Sequence, residues 1–97
     1  MKIISETKKI FKYLDKELDE KQKEAFKKSF YFELDKYQDS LGKFITSNFL
    51  QINSPLFKEF LKCGILLAED MAMFIIVLYY MKLRSESPDK TPEYIIL

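Results

Sequence analysis

The chain contains no histidine, a single cysteine and only two glycines, and each shortage removes a class of function. Without histidine the usual general acid–base group near neutral pH is missing. Cys63 has no imidazole to activate it and no second cysteine to pair with, and it lacks the companions that a zinc site needs. A small buried or half-buried role is expected for it. No Gly-rich loop is present to cradle a phosphate. With 2 Gly and 3 Pro there is little of the turn punctuation that all-β folds require, so helices joined by short connections fit better. The first residues, Met1-Lys2-Ile3-Ile4-Ser5-Glu6, lack the long apolar core of a secretion signal, and a cytoplasmic or nuclear location is the default expectation. No enzymatic activity, cofactor or metal is expected.

What is present is apolar and aromatic. The 97 residues, expected to form one domain, are 47% hydrophobic and include nine Phe and six Tyr, too apolar for a disordered chain. A domain of this length buries roughly 65% of the surface of its unfolded chain, so its core is limited. The net charge of +1 is unevenly spread. Residues 1–28 hold nine Lys against six acids, a balance of +3, and the remainder holds seven bases against nine acids, a balance of −2. An imbalance this small is a solvated, ion-paired face rather than the footprint of a nucleic-acid binder.

Apolar residues recur at helical spacing. Ile4, Phe11, Leu14 and Leu18, with Ile3 and Ile10 beside them and Thr7 filling the gap, form the stripe of an amphipathic helix. Asp19 and Gln22 have the spacing of a capping box, which would start a second helix, although one continuous helix is the alternative because no Gly or Pro intervenes. Phe26, Phe30, Leu34, Tyr37 and Leu41 extend the 3-and-4 pattern; Phe30–Leu34 would also suit a strand, but its flanks favour helix. Gly42 marks a break. A third segment carries Leu41, Phe44, Ile45, Phe49 and Ile52. Ser54 then Pro55 is a cap and first turn for another helix, in which Cys63-Gly64 introduces a bend or division.

Met71 to Met81 is eleven residues without a charge, and a helix apolar all round must be surrounded. It is too short for a membrane span: about 20 residues are needed for a hydrocarbon core of ~30 Å, and eleven cover about 16 Å. Extending it backwards takes in Glu69 and Asp70, whose insertion cost offsets the aliphatic gain. Buried core is the expectation and membrane association the alternative, with Lys82 and Arg84 as a positive flank. Glu69 and Asp70, adjacent in sequence, point different ways on a helix, so a shared catalytic or metal role is not expected. They are read as a solvent-facing or capping pair where a helix starts near Ala68, or as contacts for a basic group on a partner. The aromatic residues Phe26, Phe30, Tyr31, Phe32 and Tyr37 could stack on bases, but at helical spacing they read as core. Residues 85–92 read as a loop, and Glu93-Tyr94-Ile95-Ile96-Leu97 as an apolar tail that docks on the core, meets a partner or opens a further element.

From Ser54 onward the pattern is a short Leu- and Phe-rich helix, Pro55 to Cys63, then a very apolar helix closing on Tyr79-Tyr80-Met81-Lys82-Leu83, then a loop before Thr91 to Leu97. This resembles the opening of a cyclin box of the divergent yeast type, with Lys82 where the family commonly has arginine. The resemblance covers residues 54–97 and implies two helices and the start of a third from a truncated box, in a regulator of a protein kinase. The sequence as a whole leads to an all-α fold, a small bundle of about four helices around an apolar C-terminal helix. It is expected to bind a protein partner or a second copy of itself through its C-terminal half. The candidate partner-binding residues are Phe57, Phe60, Glu69, Asp70, Tyr79, Tyr80, Lys82 and Tyr94.

Overall fold

A computed structural model describes residues 2–52 and 54–85, and the regular structure among these residues is entirely helical. Six helical segments follow one another, more than the four expected, because short interruptions divide the longer periodic stretches. They are α1 (Lys2–Glu17), α2 (Glu20–Lys28), a 3-10 helix (Tyr31–Asp39), α3 (Leu41–Phe49), α4 (Pro55–Lys62) and α5 (Ala68–Ser85). The expected loop at 85–92 and the tail at 93–97 lie, after Ser85, outside the described residues.

The boundaries follow local chemistry. At Asp19 the capping box forms in both directions: the Gln22 amide donates to Asp19 Oδ1 at 2.8 Å, and the Asp19 amide donates to Gln22 Oε1 at 2.9 Å. Helices α1 and α2 are therefore separate. After α2 the backbone turns extended at Ser29 (ψ 151°) and Phe30 (ψ 152°), which throws Phe30 out of the expected stripe and leaves it exposed. The segment expected as helix, with a strand as alternative, is then a 3-10 helix. Its three-residue turn sets Tyr31, Leu34 and Tyr37 in one row. Leu34 is buried and Tyr37 half-buried against the core, while Tyr31 at the start of the row is exposed. The Phe30 amide donates to Glu33 Oε1 at 2.8 Å and closes its first turn.

The break expected at Gly42 falls two residues earlier, at Ser40; Gly42 is buried inside α3. Its missing side chain is used, because a Cβ there would collide with the side-chain oxygen of Gln38. That space lets Gln38 Nε2 donate to the Glu69 carbonyl at 2.8 Å, tying the 3-10 helix to the start of α5. Ser54 caps α4 by accepting from the Phe57 amide at 3.2 Å, with Pro55 in the first turn. Its hydroxyl also donates to the Phe49 carbonyl at 3.1 Å, clamping the end of α3. Gly64 (φ +85°) ends α4 in the left-handed region. The Gly64 amide donates to the Leu61 carbonyl and the Ile65 amide to the Phe60 carbonyl, both at 3.0 Å, a Schellman closure. Cys63, beside this turn, is exposed rather than buried or half-buried, because the chain reverses on the outer surface of the bundle.

Helix α5 is the axis. It packs against α3, the 3-10 helix, α2 and α4, while α1 lies along α4 and reaches α5 through side chains. Met71, Ala72, Ile75, Ile76, Tyr79 and Tyr80 form its buried face. At the centre Phe26 makes ring contacts with Tyr37 (4.8 Å, edge-on), Tyr79 (5.7 Å, stacked) and Tyr80 (5.8 Å, edge-on). The tyrosines keep their hydroxyls paired. Tyr79 donates to Asp15 Oδ1 and Tyr80 to the Ser29 carbonyl, each at 2.6 Å. Arg84 Nη1 donates to the Lys27 carbonyl at 2.9 Å, and Ser29 Oγ to the Ala25 carbonyl at 2.9 Å. The carbonyls of Ala25 and Lys27 in the last turn of α2, which a helix end leaves without partners, are thus satisfied by the capping serine and by α5.

One buried group breaks the pattern. Thr7 stands in the apolar row Ile3, Ile10, Leu14 of α1, fully buried, and its hydroxyl has no hydrogen-bond partner. Replacing it with valine keeps the shape and removes an unsatisfied hydroxyl, which costs about 1–3 kcal/mol when buried. Thr7→Val should therefore raise the stability measured by urea unfolding by about 1 kcal/mol, with a Tm increase of roughly 4–8 °C.

Candidate apolar docking face on the last helix

The residues that alternate with the buried face of α5 are equally apolar. Met73, Phe74, Val77 and Leu78 are half-buried, and Met81 is 50% exposed. The run expected to be surrounded is thus buried on one face and half-buried on the other, where Met81 is its one exposed residue. Two grooves open along it and share Leu78 as a common wall.

The first groove, of ≈ 670 Å³, runs between the early turns of α5 and the Gly64–Leu67 connection. Its floor is Met73, Phe74, Val77 and Leu78; Ile65, Leu66, Leu67 and Tyr31 form its rim, with Asp70 at one end. Leu66 is 68% exposed, Leu67 62% and Tyr31 60%. The positive φ at Gly64 turns the chain outward and places the two leucines there. Phe74 is held from below by Phe60, edge-on at 5.4 Å. The second groove, of ≈ 680 Å³, lies between α1 and the last turns of α5 and is lined by Ile4, Phe11, Leu78 and Met81, with Lys8, Lys82 and Ser85. Lys82 Nζ sits 5.9 Å from the centre of the Phe11 ring.

The residues singled out from sequence divide by burial. Phe60, Tyr79 and Tyr80 are core side chains, so their contribution to any surface is to hold it up. Phe57 is half-buried against the core. Glu69 and Asp70 are both exposed in the first turn of α5, where acids complement the helix dipole; Asp70 borders the first groove, and Glu69 faces away from it toward Gln38 and Lys43. Lys82 lines the second groove, and Tyr94 lies outside the described residues. Asp70 and Lys82 are therefore at opposite ends of one face, and the rest are not brought together on it. Phe30, Tyr31 and Phe32, read as core from their spacing, are exposed because the chain leaves helical geometry at Ser29 and Phe30, while Leu66, Leu67 and the outer residues of α5 were not singled out. Their signal was the run Ile65-Leu66-Leu67 after Gly64, three apolar residues in a segment too short to bury them.

Among the described residues no group of three or more metal-ligating side chains comes together, and no helix is long and apolar enough to cross a membrane. The division between support and surface has a measurable consequence. Phe60→Ala should cost about 3–5 kcal/mol in urea unfolding, as a core cavity does. Leu66→Glu combined with Leu67→Glu should change stability by no more than about 0.5 kcal/mol per site, as surface substitutions do.

No curated protein and no solved structure matches the chain. A family model does, over residues 6–83, from the first turns of α1 almost to the end of α5, so both grooves are built almost wholly from matched residues. The chain belongs to the family described as "Domain of unknown function (DUF6794)".

Proposed function

We propose that this protein is a non-enzymatic helical interaction module whose working surface is the outer face of α5 and the Leu66–Leu67 rim, and that it takes an apolar segment of a protein partner. The observation that carries this reading is the first groove. Its floor is apolar, and its rim exposes Leu66, Leu67 and Tyr31 beyond half of their surface. Single exposed apolar residues need no explanation, but a contiguous set around a concavity marks an interface. The groove suits an amphipathic helix, which anchors through residues spaced three and four apart. A second copy of the chain is the first partner to test, since its own apolar face is available for a symmetric contact.

Light scattering over a concentration series tests this directly. Self-association in the wild type that is lost in the Leu66→Glu, Leu67→Glu variant is the expected result. A strict monomer that binds no apolar dye contradicts the proposal. The likeness to a cyclin box adds a finer version, regulation of a protein kinase, supported by the order of a short Leu/Phe helix α4 and a long apolar helix α5. Its test is whether the purified protein changes the activity of a kinase recovered with it; no change removes that version.

A second reading, attachment to a membrane surface, draws on Phe30, Tyr31 and Phe32. All three are exposed, and the Phe30 and Phe32 rings stack at 5.5 Å with 3° between their planes. Exposed aromatics of this kind can lie at the headgroup boundary. Co-sedimentation with anionic vesicles that is lost in Phe30→Ser, Phe32→Ser supports it, and protein left in the supernatant rejects it.

A further inference from the structure

We propose that the first groove is filled by the Leu66–Leu67 connection of a second copy of this chain, and that the second copy's groove is filled in return. The proposal rests on the reading that the outer face of α5 is the working surface; it names the partner and the residues that enter. A two-fold contact uses one patch on both sides, so that patch must carry both what enters and what receives. This one does. Leu66 and Leu67, 68% and 62% exposed, stand beside a groove of ≈ 670 Å³ floored by Met73, Phe74, Val77 and Leu78.

The leucines stay out of their own groove because the backbone holds them there. The Ile65 amide donates to the Phe60 carbonyl at 3.0 Å, and the Leu67 carbonyl accepts from the Met71 amide at 3.1 Å. The connection is therefore tied to α4 at one end and to α5 at the other. Gly64, at φ +85°, turns it outward. Both side chains are presented on fixed backbone, so the connection loses little freedom when it enters a partner.

Size and charge agree with a copy as that partner. Tyr31, on the same rim, is 60% exposed, and its chain neighbours Phe30 and Phe32 are 65% and 78% exposed. At roughly 150–250 Å² per aromatic side chain, the three rings offer about 400 Å², and the two leucines bring the patch to roughly 600 Å². Covered on both copies, that is about 1,200 Å², larger than most adventitious contacts and at the lower edge of specific interfaces. A dimer in exchange with its monomer follows. Asp70 is the one charged residue among the described residues that line the groove, and it sits exposed at one end. The chain's net charge is +1, so two copies approach with little repulsion. Apolar burial drives this contact, and salt does not weaken it.

Mixed copies of the full chain test it, all in a Cys63→Ser background so that one thiol reports. Val77→Cys, or Met73→Cys should the first variant unfold, places that thiol on the groove floor of a dilute reporter chain. Its rate of reaction with a water-soluble maleimide is followed as thiol-free chain is added, from about 1 μM to about 1 mM. Chain with Leu66 and Leu67 intact should slow the reaction progressively, by about fivefold when about four fifths of the grooves are filled. The slowing should persist in about 0.5 M NaCl. Chain carrying Leu66→Glu and Leu67→Glu should leave the rate unchanged. Protection by both chains overturns the proposal, because another surface then pairs. Protection lost in salt overturns it as well, because charge then drives the contact. A fast rate that neither chain changes overturns it and leaves the open face to a different partner. A slow rate that neither chain changes overturns both the proposal and the reading on which it rests.

Discussion

The contact between Phe26 and the tyrosine pair of α5 governs this molecule. A single ring from α2 touches Tyr37, Tyr79 and Tyr80, so it joins three of the helical segments at one point. The geometry serves hydrogen bonding as well as burial. With the rings fixed, the Tyr79 hydroxyl reaches Asp15 on α1 and the Tyr80 hydroxyl reaches the end of α2. Arg84, one turn beyond Tyr80 and 5.5 Å from its ring centre, closes the same helix end from the other side. A basic group at a helix C-terminus also complements the dipole there. Apolar packing and backbone satisfaction thus depend on the same rings, and either one fixes the rotation of α5 about its axis.

That rotation has a consequence for the opposite side. A helix of eighteen residues shows its neighbours roughly half of its surface when they pack mainly from one side, as α2, α3 and the 3-10 helix do here. The tyrosine face is covered. Met73, Phe74, Val77, Leu78 and Met81 are left on the open side, between α1 and the Gly64–Leu67 connection. Met73, Phe74, Val77 and Leu78 pack in part against the core, and the side they leave accessible is apolar as well. An apolar face that the fold covers only in part is the physical basis for proposing that this protein is a binding module.

Much of the architecture was legible wherever a single residue has one local job. Asp19 with Gln22, and Ser54 with Pro55, announced two helix starts, because capping depends only on groups three residues apart. The 3-and-4 stripe of α1 placed Ile10 and Leu14 in the core, though it could not show that the hydroxyl of Thr7 would be buried without a partner. The stripe through Phe30 misled, since Ser29 and Phe30 leave helical geometry and the following turn has a period of three. The phase of α5 was the largest gap. With eleven uncharged residues in succession no polar side marks the outside, so sequence alone could not separate Tyr79 and Tyr80 in the core from Leu78 and Met81 at the surface. Only tertiary packing decides that, and it moved the candidate site from the tyrosines to the residues flanking them on the other side of the helix.

The claim that α5 is apolar on both faces but buried on one is open to direct measurement. In a dilute sample carrying a water-soluble nitroxide, methyl resonances of Met73 and Val77 on the open face should broaden strongly, while those of Ile75 and Ile76, one or two residues away, should stay sharp. Equal protection of the methyls of all four residues would contradict it.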